Sequence, residues 1–302
     1  MTNEMTETAK NNTIADLKIE KTKSGTKRSI IQIRKTIEFE FQKNLSKFIS
    51  MLLMGIGIFL LFLIIQVIQE SAGVAVPADP VDFIQAYLIM IDFLILIIAV
   101  AFGGGIIAED FEKETGNLLF PKIQKNRLLA GRIIARYFYA AICVIFYYVL
   151  VGISTLIKYE WVPSIVWESM GWALLYTFAV FSFMILFSSF MKRTASAMIV
   201  GMMIVLMVFQ LMTMILMFTG VTIEPLFMLT YYANIITSWF NMPAERFTEI
   251  SFGGPPGMGG MRDGPTFMSW ATPSATGAIL GMAIYSLICI ILAYIIFKRR
   301  QN

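Results

Sequence analysis

P-L-F-M-L-T-Y-Y-A-N-I-I-T-S-W-F-N, residues 225–241, is the stretch on which the fold turns. It is apolar enough to tempt assignment as a membrane span, yet Pro225 opens it and Tyr231, Tyr232 and Trp239 stud it. Rings with one polar atom collect where membrane meets water. Six other segments, about 48–68, 84–107, 133–156, 169–190, 195–219 and 275–297, each supply an apolar run of spanning length. A helix needs about 20 such residues to cross a hydrocarbon core about 30 Å thick. With six spans, 21 of the 24 Lys and Arg fall on one side, in 1–47, 108–136, 191–194 and 298–300. Lys158, Arg246 and Arg262 fall on the other. A seventh span would strand Lys298, Arg299 and Arg300 on the wrong side. Cytoplasmic loops hold the excess of Lys and Arg. The reading is therefore six spans, both chain ends cytoplasmic, with 225–241 an external interfacial or re-entrant helix. The Gly- and Pro-rich run from Gly253 to Pro265 reads as loop.

Composition agrees. Of 302 residues, 57% are hydrophobic and only 15% charged, and mean hydropathy is +0.72. Backbone groups in lipid must be satisfied internally, so proline-free spans are helices, and the alternation of a barrel is absent. The fold class is all-α, a polytopic membrane protein. Residues 1–29 are polar, have no signal-peptide pattern and read as a disordered cytoplasmic tail. In 30–47, Ile30, Ile33, Ile37, Phe41 and Leu45 recur at helical spacing up to Phe48, with Arg34, Lys35, Lys43 and Lys47 off that line. This predicts an amphipathic helix on the cytoplasmic leaflet, its lysines near lipid headgroups; the alternative is a cytosolic extension of span one. Residues 48–298 form the six-span domain. Cys143 and Cys289 sit inside apolar runs as packing residues. No histidine occurs, which excludes Ser-His and Cys-His catalysis and His-ligated metals.

Between spans two and three the chain reads GGGIIAEDFEKETGNLLFPKIQKNRLLAGRIIARY, residues 103–137. Small glycines close the span and an acidic cluster follows: Glu109, Asp110, Glu112 and Glu114. Then come a turn at Thr115 and Gly116, an apolar patch at Leu118, Leu119 and Phe120, Pro121, and a basic run. Glu109 and Lys113, spaced i,i+4, support a short helix. Three large apolar residues framed by charges make a docking element or tuck beneath the bundle.

These residues resemble a known family. E-D-F-E-K-E-T-G-x-L-L-F-P at 109–121 and L-L-A-G-R at 128–132 are similar to the cytoplasmic loop of ABC-2 type transporter permeases. The six-span layout with a basic N-terminal helix and a long external segment before the last span is similar too. The resemblance implies the permease subunit of an ATP-binding-cassette exporter in the cell membrane, pairing with a second permease copy as homo- or heterodimer. It implies a separate ABC ATPase subunit that receives 109–127 as a coupling element, with Glu109, Glu112, Gly116, Leu118, Leu119, Phe120 and Pro121 at the contact. The chain lacks a phosphate-binding loop; Ser24-Gly25-Thr26-Lys27 has the wrong spacing. No cofactor is expected on the chain itself, and ATP enters through the partner. The alternative is a non-transporting membrane scaffold or assembly protein of the same architecture.

Within the spans, Asp92 is the single acid. A carboxylate in hydrocarbon costs about 3 kcal/mol on insertion scales, so it faces protein or water. It is a candidate for the translocation path, although its distance from the outer end favours a merely hydrated acid. Gln210 is a second candidate for that path. Together with Thr213, Ser182, Ser188 and Ser189 it is otherwise expected to bond between helices. Methionines number 21, and most fill packing gaps. Three in the external loop, Met258, Met261 and Met268, are too scattered to specify a metal site. The basic tail has no interleaved aromatics, so membrane lipid and not nucleic acid is its expected partner. An intramembrane aspartyl protease needs two aspartates, and only Asp92 is present.

Overall fold

A computed structural model describes residues 25–73, 77–112, 125–219, 224–251 and 266–300. Helix α1 spans Gly25–Ser71, α2 Pro80–Leu88, α3 Ile91–Gly103, α4 Ala108–Glu112, α5 Lys125–Tyr159 and α6 Ile165–Phe190. Next come α7, Thr194–Met203, a π-helical segment, Ile204–Val208, and α8, Phe209–Thr219. Helix α9 covers Leu229–Ser238, strands β1 and β2 cover Phe247–Ser251 and Thr266–Trp270, and α10 covers Ala275–Arg299.

Four unbroken helices, α1, α5, α6 and α10, are long and apolar enough to cross a membrane, as is the π-interrupted run α7–α8. The pair α2–α3, bent by 40°, makes the sixth span. The protein is a multi-pass all-α membrane protein. Residues 225–241 do not cross: α9 has ten residues, and ten residues rise only about 15 Å. The helix is docked, with Tyr232, Ile235 and Ile236 buried. Ser169 Oγ donates to Ile236 O at 2.9 Å, and Trp239 Nε1 donates to Glu168 Oε2 at 2.8 Å. The antiparallel β1–β2 hairpin in the same segment, Phe247 opposite Trp270, was not foreseen.

Both described chain ends, Gly25 and Arg300, lie at one end of the bundle, here the basic end; α9 and the hairpin cap the distal end. Helix α6 is the axis of the core and packs against α3, α5, α7, α9 and α10. Its small residues Ala173, Ala179, Ser182 and Ser188 are fully buried, which permits the close approach that drives helix association in lipid. By contrast α1, α8 and α10 expose large apolar side chains such as Leu53, Leu61, Leu211, Phe218, Leu280 and Leu287.

Five expectations change. Residues 30–47 are not a separate interfacial helix; α1 runs unbroken through them into span one. Its buried line is Thr36, Glu40 and Asn44, while Ile30 and Leu45 of the apolar stripe are exposed. The tail expected over 1–29 lies outside the described residues up to position 24, and 25–29 are helical. Span two starts near Pro80, where Asp79 caps the helix by accepting Val81 N–H at 2.9 Å. It breaks at Ile89–Met90, and Tyr147 Oη donates to Tyr87 O near that break at 2.7 Å. Span three extends back to Lys125. Finally, Ser182, Ser189 and Thr213 bond to their own helices, at Phe178 O, Leu186 O and Phe209 O; of the hydroxyls expected to bridge spans, Ser188 does so.

Candidate functional site

Arginines four apart on a helix share a face, and α5 carries Arg132 and Arg136 in that relation. On α1, Glu40, Lys43, Asn44 and Lys47 share another. The two faces meet because Gly131 lets the helices touch: a Cβ there would lie 2.9 Å from Thr36 Cβ and 3.2 Å from Ile33 O. Between them enters the short α4, bringing Glu109 and Asp110.

The result is a charge cluster sealed at the basic end. Arg136 is fully buried and Glu40 is 1% exposed. Arg136 Nε donates to Glu40 Oε2 at 2.8 Å, and its Nη2 donates to Glu109 Oε2 at 3.1 Å. Arg132 grips Asp110 with both terminal nitrogens, at 2.5 and 2.9 Å, and its Nε lies 3.2 Å from Glu40 Oε1. Glu109 also takes Lys43 at 2.5 Å and Lys47 at 3.0 Å. Asn44 Nδ2 donates to Glu40 Oε2 at 2.9 Å. Three carboxylates thus meet two guanidiniums and two ammonium groups.

Burial pushes the Glu40 and Glu109 carboxyls up, but the attraction of Arg136 and its neighbours outweighs it and holds both below their ordinary value. For Glu40 the added pull comes from Arg132 and Lys43; for Glu109 it comes from Lys43 and Lys47. Removing one member of such a set leaves an uncompensated buried charge.

The remaining spans also hold this elbow. Ser188 Oγ of α6 accepts the backbone N–H groups of Ile107 and Ala108, each at 2.9 Å. Glu112 Oε2 accepts Thr194 N–H at 2.9 Å, capping α7 from outside, since its own N-cap residue Arg193 supplies no side-chain bond. Arg300, just past α10, donates to Ser189 O and Met191 O, and its guanidinium lies 4.5 Å from the Phe111 ring centroid. At Gly104 a Cβ would lie 2.7 Å from Met198 Cγ, so span five packs directly on the elbow backbone. Residues 104–112 are therefore tied to α1, α5, α6, α7 and the end of α10 at once.

Of the residues expected at a partner contact, Glu109 is buried in the bundle and Glu112 serves as a cap, so both anchor the elbow from within. Gly116, Leu118, Leu119, Phe120 and Pro121 lie outside the described residues. Asp92 stands away from this site: it is exposed, just past the break, twelve residues into a span of Pro80–Gly103. That is about the middle of the bent pair. Gln210 lies at the distal end, lining a cavity with Thr213 and Trp270. Glu40, Arg132, Arg136 and Arg300 were missed. The i,i+4 pairs on α1 and α5 were visible as spacing, but nothing local says that two such faces meet.

The buried charges are paired with one another, although Glu40 Oε1, Asn44 Oδ1, Arg132 Nε and Arg136 Nη1 make no hydrogen bond. No group of three or more His, Cys, Asp or Glu that could hold a metal occurs among the described residues. The cluster is a junction at which several helices are tied together. No curated protein matches the chain. The model of the family described as ABC-2 family transporter protein matches residues 1–301. A six-span bundle gathered on one charged elbow, with this match along almost its whole length, identifies the chain as a member of the ABC-2 transporter family, a permease-type membrane component of an ABC transporter.

Proposed function

We propose that the chain is the transmembrane subunit of an ATP-driven exporter, its basic end in the cytoplasm, working as two permease copies with a separate ATPase that docks on 109–127. One observation supports this most: the elbow leading into that segment is bonded to five of the bundle's helices. A push delivered at 113–124 is thereby shared by the whole bundle. The orientation rests on the Lys and Arg bias, and export rests on the family resemblance.

Asp92 supports the paired arrangement. A mid-span carboxylate turned outward from the bundle costs about 3 kcal/mol against lipid. Facing a second copy across a hydrated path removes that cost. Gln210 lies on the same path toward the distal side.

Affinity purification of the full chain from its native membrane tests the docking. Leu118→Asp, Leu119→Asp and Phe120→Asp combined are expected to abolish recovery of the ATPase while the permease stays in the membrane fraction. Undiminished recovery contradicts the assignment.

A further inference from the structure

At the distal end, α8, the first turn of α9 and strand β2 enclose a cavity of about 170 Å³. A single water's share of liquid volume is about 30 Å³, so the space admits more than one water. Its polar lining includes Gln210, Thr213, Thr230, Asn234, Ser269 and Trp270. No lining side chain carries a charge.

Two of these residues carry a buried polar atom without a partner. Trp270 Nε1 and Thr230 Oγ1 are buried with no hydrogen-bond partner among the described residues. Burying a donor without an acceptor costs about 1–3 kcal/mol each. The fold nevertheless fixes Trp270 firmly. The Arg246 guanidinium lies 5.5 Å from its ring centroid and Phe247 packs at 5.1 Å. Arg246 is anchored on Glu224 at 3.0 Å, and Glu224 also accepts Tyr231 Oη at 3.0 Å. Ala271 N–H bonds Arg246 O at 2.8 Å, and Ala271 O accepts Asn234 Nδ2 at 3.0 Å. A frame this complete around an unsatisfied indole N–H is a built site awaiting an acceptor.

The wall opposite is the part able to move. Helix α8 has no buried residue, whereas α7 below it packs on α3, α4 and α6. Between them lies the π segment Ile204–Val208. Such bulges interrupt a helix's regular bonding and recur at functional sites. Both unpaired atoms lack solvent exposure, so a ligand reaches them only if this wall moves.

We infer that this cavity binds the uncharged, oxygen-bearing head of an amphiphile or a free neutral polyol, which accepts hydrogen bonds from Trp270 and Thr230. An anionic head would find no cation on the lining, and nearby Arg246 is already paired with Glu224. A cationic head would find no free carboxylate on the lining. Binding is a property of the chain alone, so its failure leaves the ATPase docking untouched.

The test uses the full chain in phosphatidylcholine nanodiscs with ¹⁵N-labelled indoles. The five tryptophans give separate resonances, with Trp270 identified by Trp270→Phe. Octyl β-glucoside below solubilising concentration is expected to move the Trp270 resonance downfield, saturably, while Trp239, bonded to Glu168, stays fixed. Methyl β-glucoside producing the same shift identifies a soluble ligand; a shift with the octyl compound alone identifies an amphiphile. Thr230→Val is expected to raise the Kd about three- to tenfold. Absence of a saturable shift with either glucoside, or an equal shift with octyl sulfate, overturns the inference.

Discussion

The two ends of the bundle handle polar groups in opposite ways. At the basic end, Glu40, Glu109, Asp110, Arg132 and Arg136 are buried and paired into one network. At the distal end the cavity lining carries no charge, and Trp270 Nε1 and Thr230 Oγ1 are buried without a hydrogen-bond partner among the described residues. A buried network of paired charges resists change even though Glu40 Oε1, Asn44 Oδ1, Arg132 Nε and Arg136 Nη1 make no hydrogen bond of their own, because each charge is costly to expose or strand. An unmatched pair of donors lowers the cost of rearrangement, since any acceptor improves it. The contrast suits a machine that takes force rigidly at one end and adjusts at the other.

Breaking the matched end gives the largest effect. Arg136→Met removes the guanidinium that Glu40 and Glu109 share and is expected to cost about 3–5 kcal/mol, read as a large drop in thermal unfolding temperature in nanodiscs. Acidification attacks the same network. Both carboxyls lie below their ordinary value of 4.5 in the folded protein. Their contribution is therefore complete above that value and is lost as pH falls beneath it toward their lower folded values. The unfolding temperature of Glu109→Gln should depend less on pH in that window than that of the unsubstituted protein. Identical slopes would show that Glu109 is not part of the linkage.

Gly131→Val comes next. Its added carbons press on Thr36 and the α1 backbone, and overpacking of this kind costs about 1–3 kcal/mol. The expected readout is lost thermal stability, with faster hydrogen exchange in 30–47. Glu112→Ala removes the cap on α7 and should cost about 1 kcal/mol, with exchange rising first at Thr194 and the residues just after it. The smallest effect belongs to the unmatched end. Thr230→Val deletes an unsatisfied hydroxyl and should leave stability within about 1 kcal/mol of the parent or raise it. A large loss there would show that the hydroxyl is not free.

Much of this was legible in the sequence. Apolar runs and the Lys and Arg bias located six spans, and the E-D-F-E-K-E-T-G run located the elbow. Residues 225–241 were placed outside the membrane because a seventh span breaks the charge pattern. What could not be read is pairing over distance. The apolar stripe from Ile30 to Phe48 suggested a helix lying on lipid, yet the polar line Thr36–Glu40–Asn44 is the buried one. The partners along this face are 66–96 residues away in sequence. Periodicity reports which residues share a face but not what covers that face. The hairpin was hidden for a related reason: its strands are separated by a Gly- and Pro-rich stretch that reads only as loop.

The central claim is that the elbow transmits ATPase motion to the bundle because Glu109 locks it there. The most direct measurement is ATP hydrolysis by the co-purified ATPase, with and without the permease, in vesicles carrying Glu109→Gln. Glu109 is buried against Lys43, Lys47 and Arg136, so binding should persist while the permease-dependent change in hydrolysis is lost. A variant that binds the ATPase and keeps its full response to the permease would contradict the account.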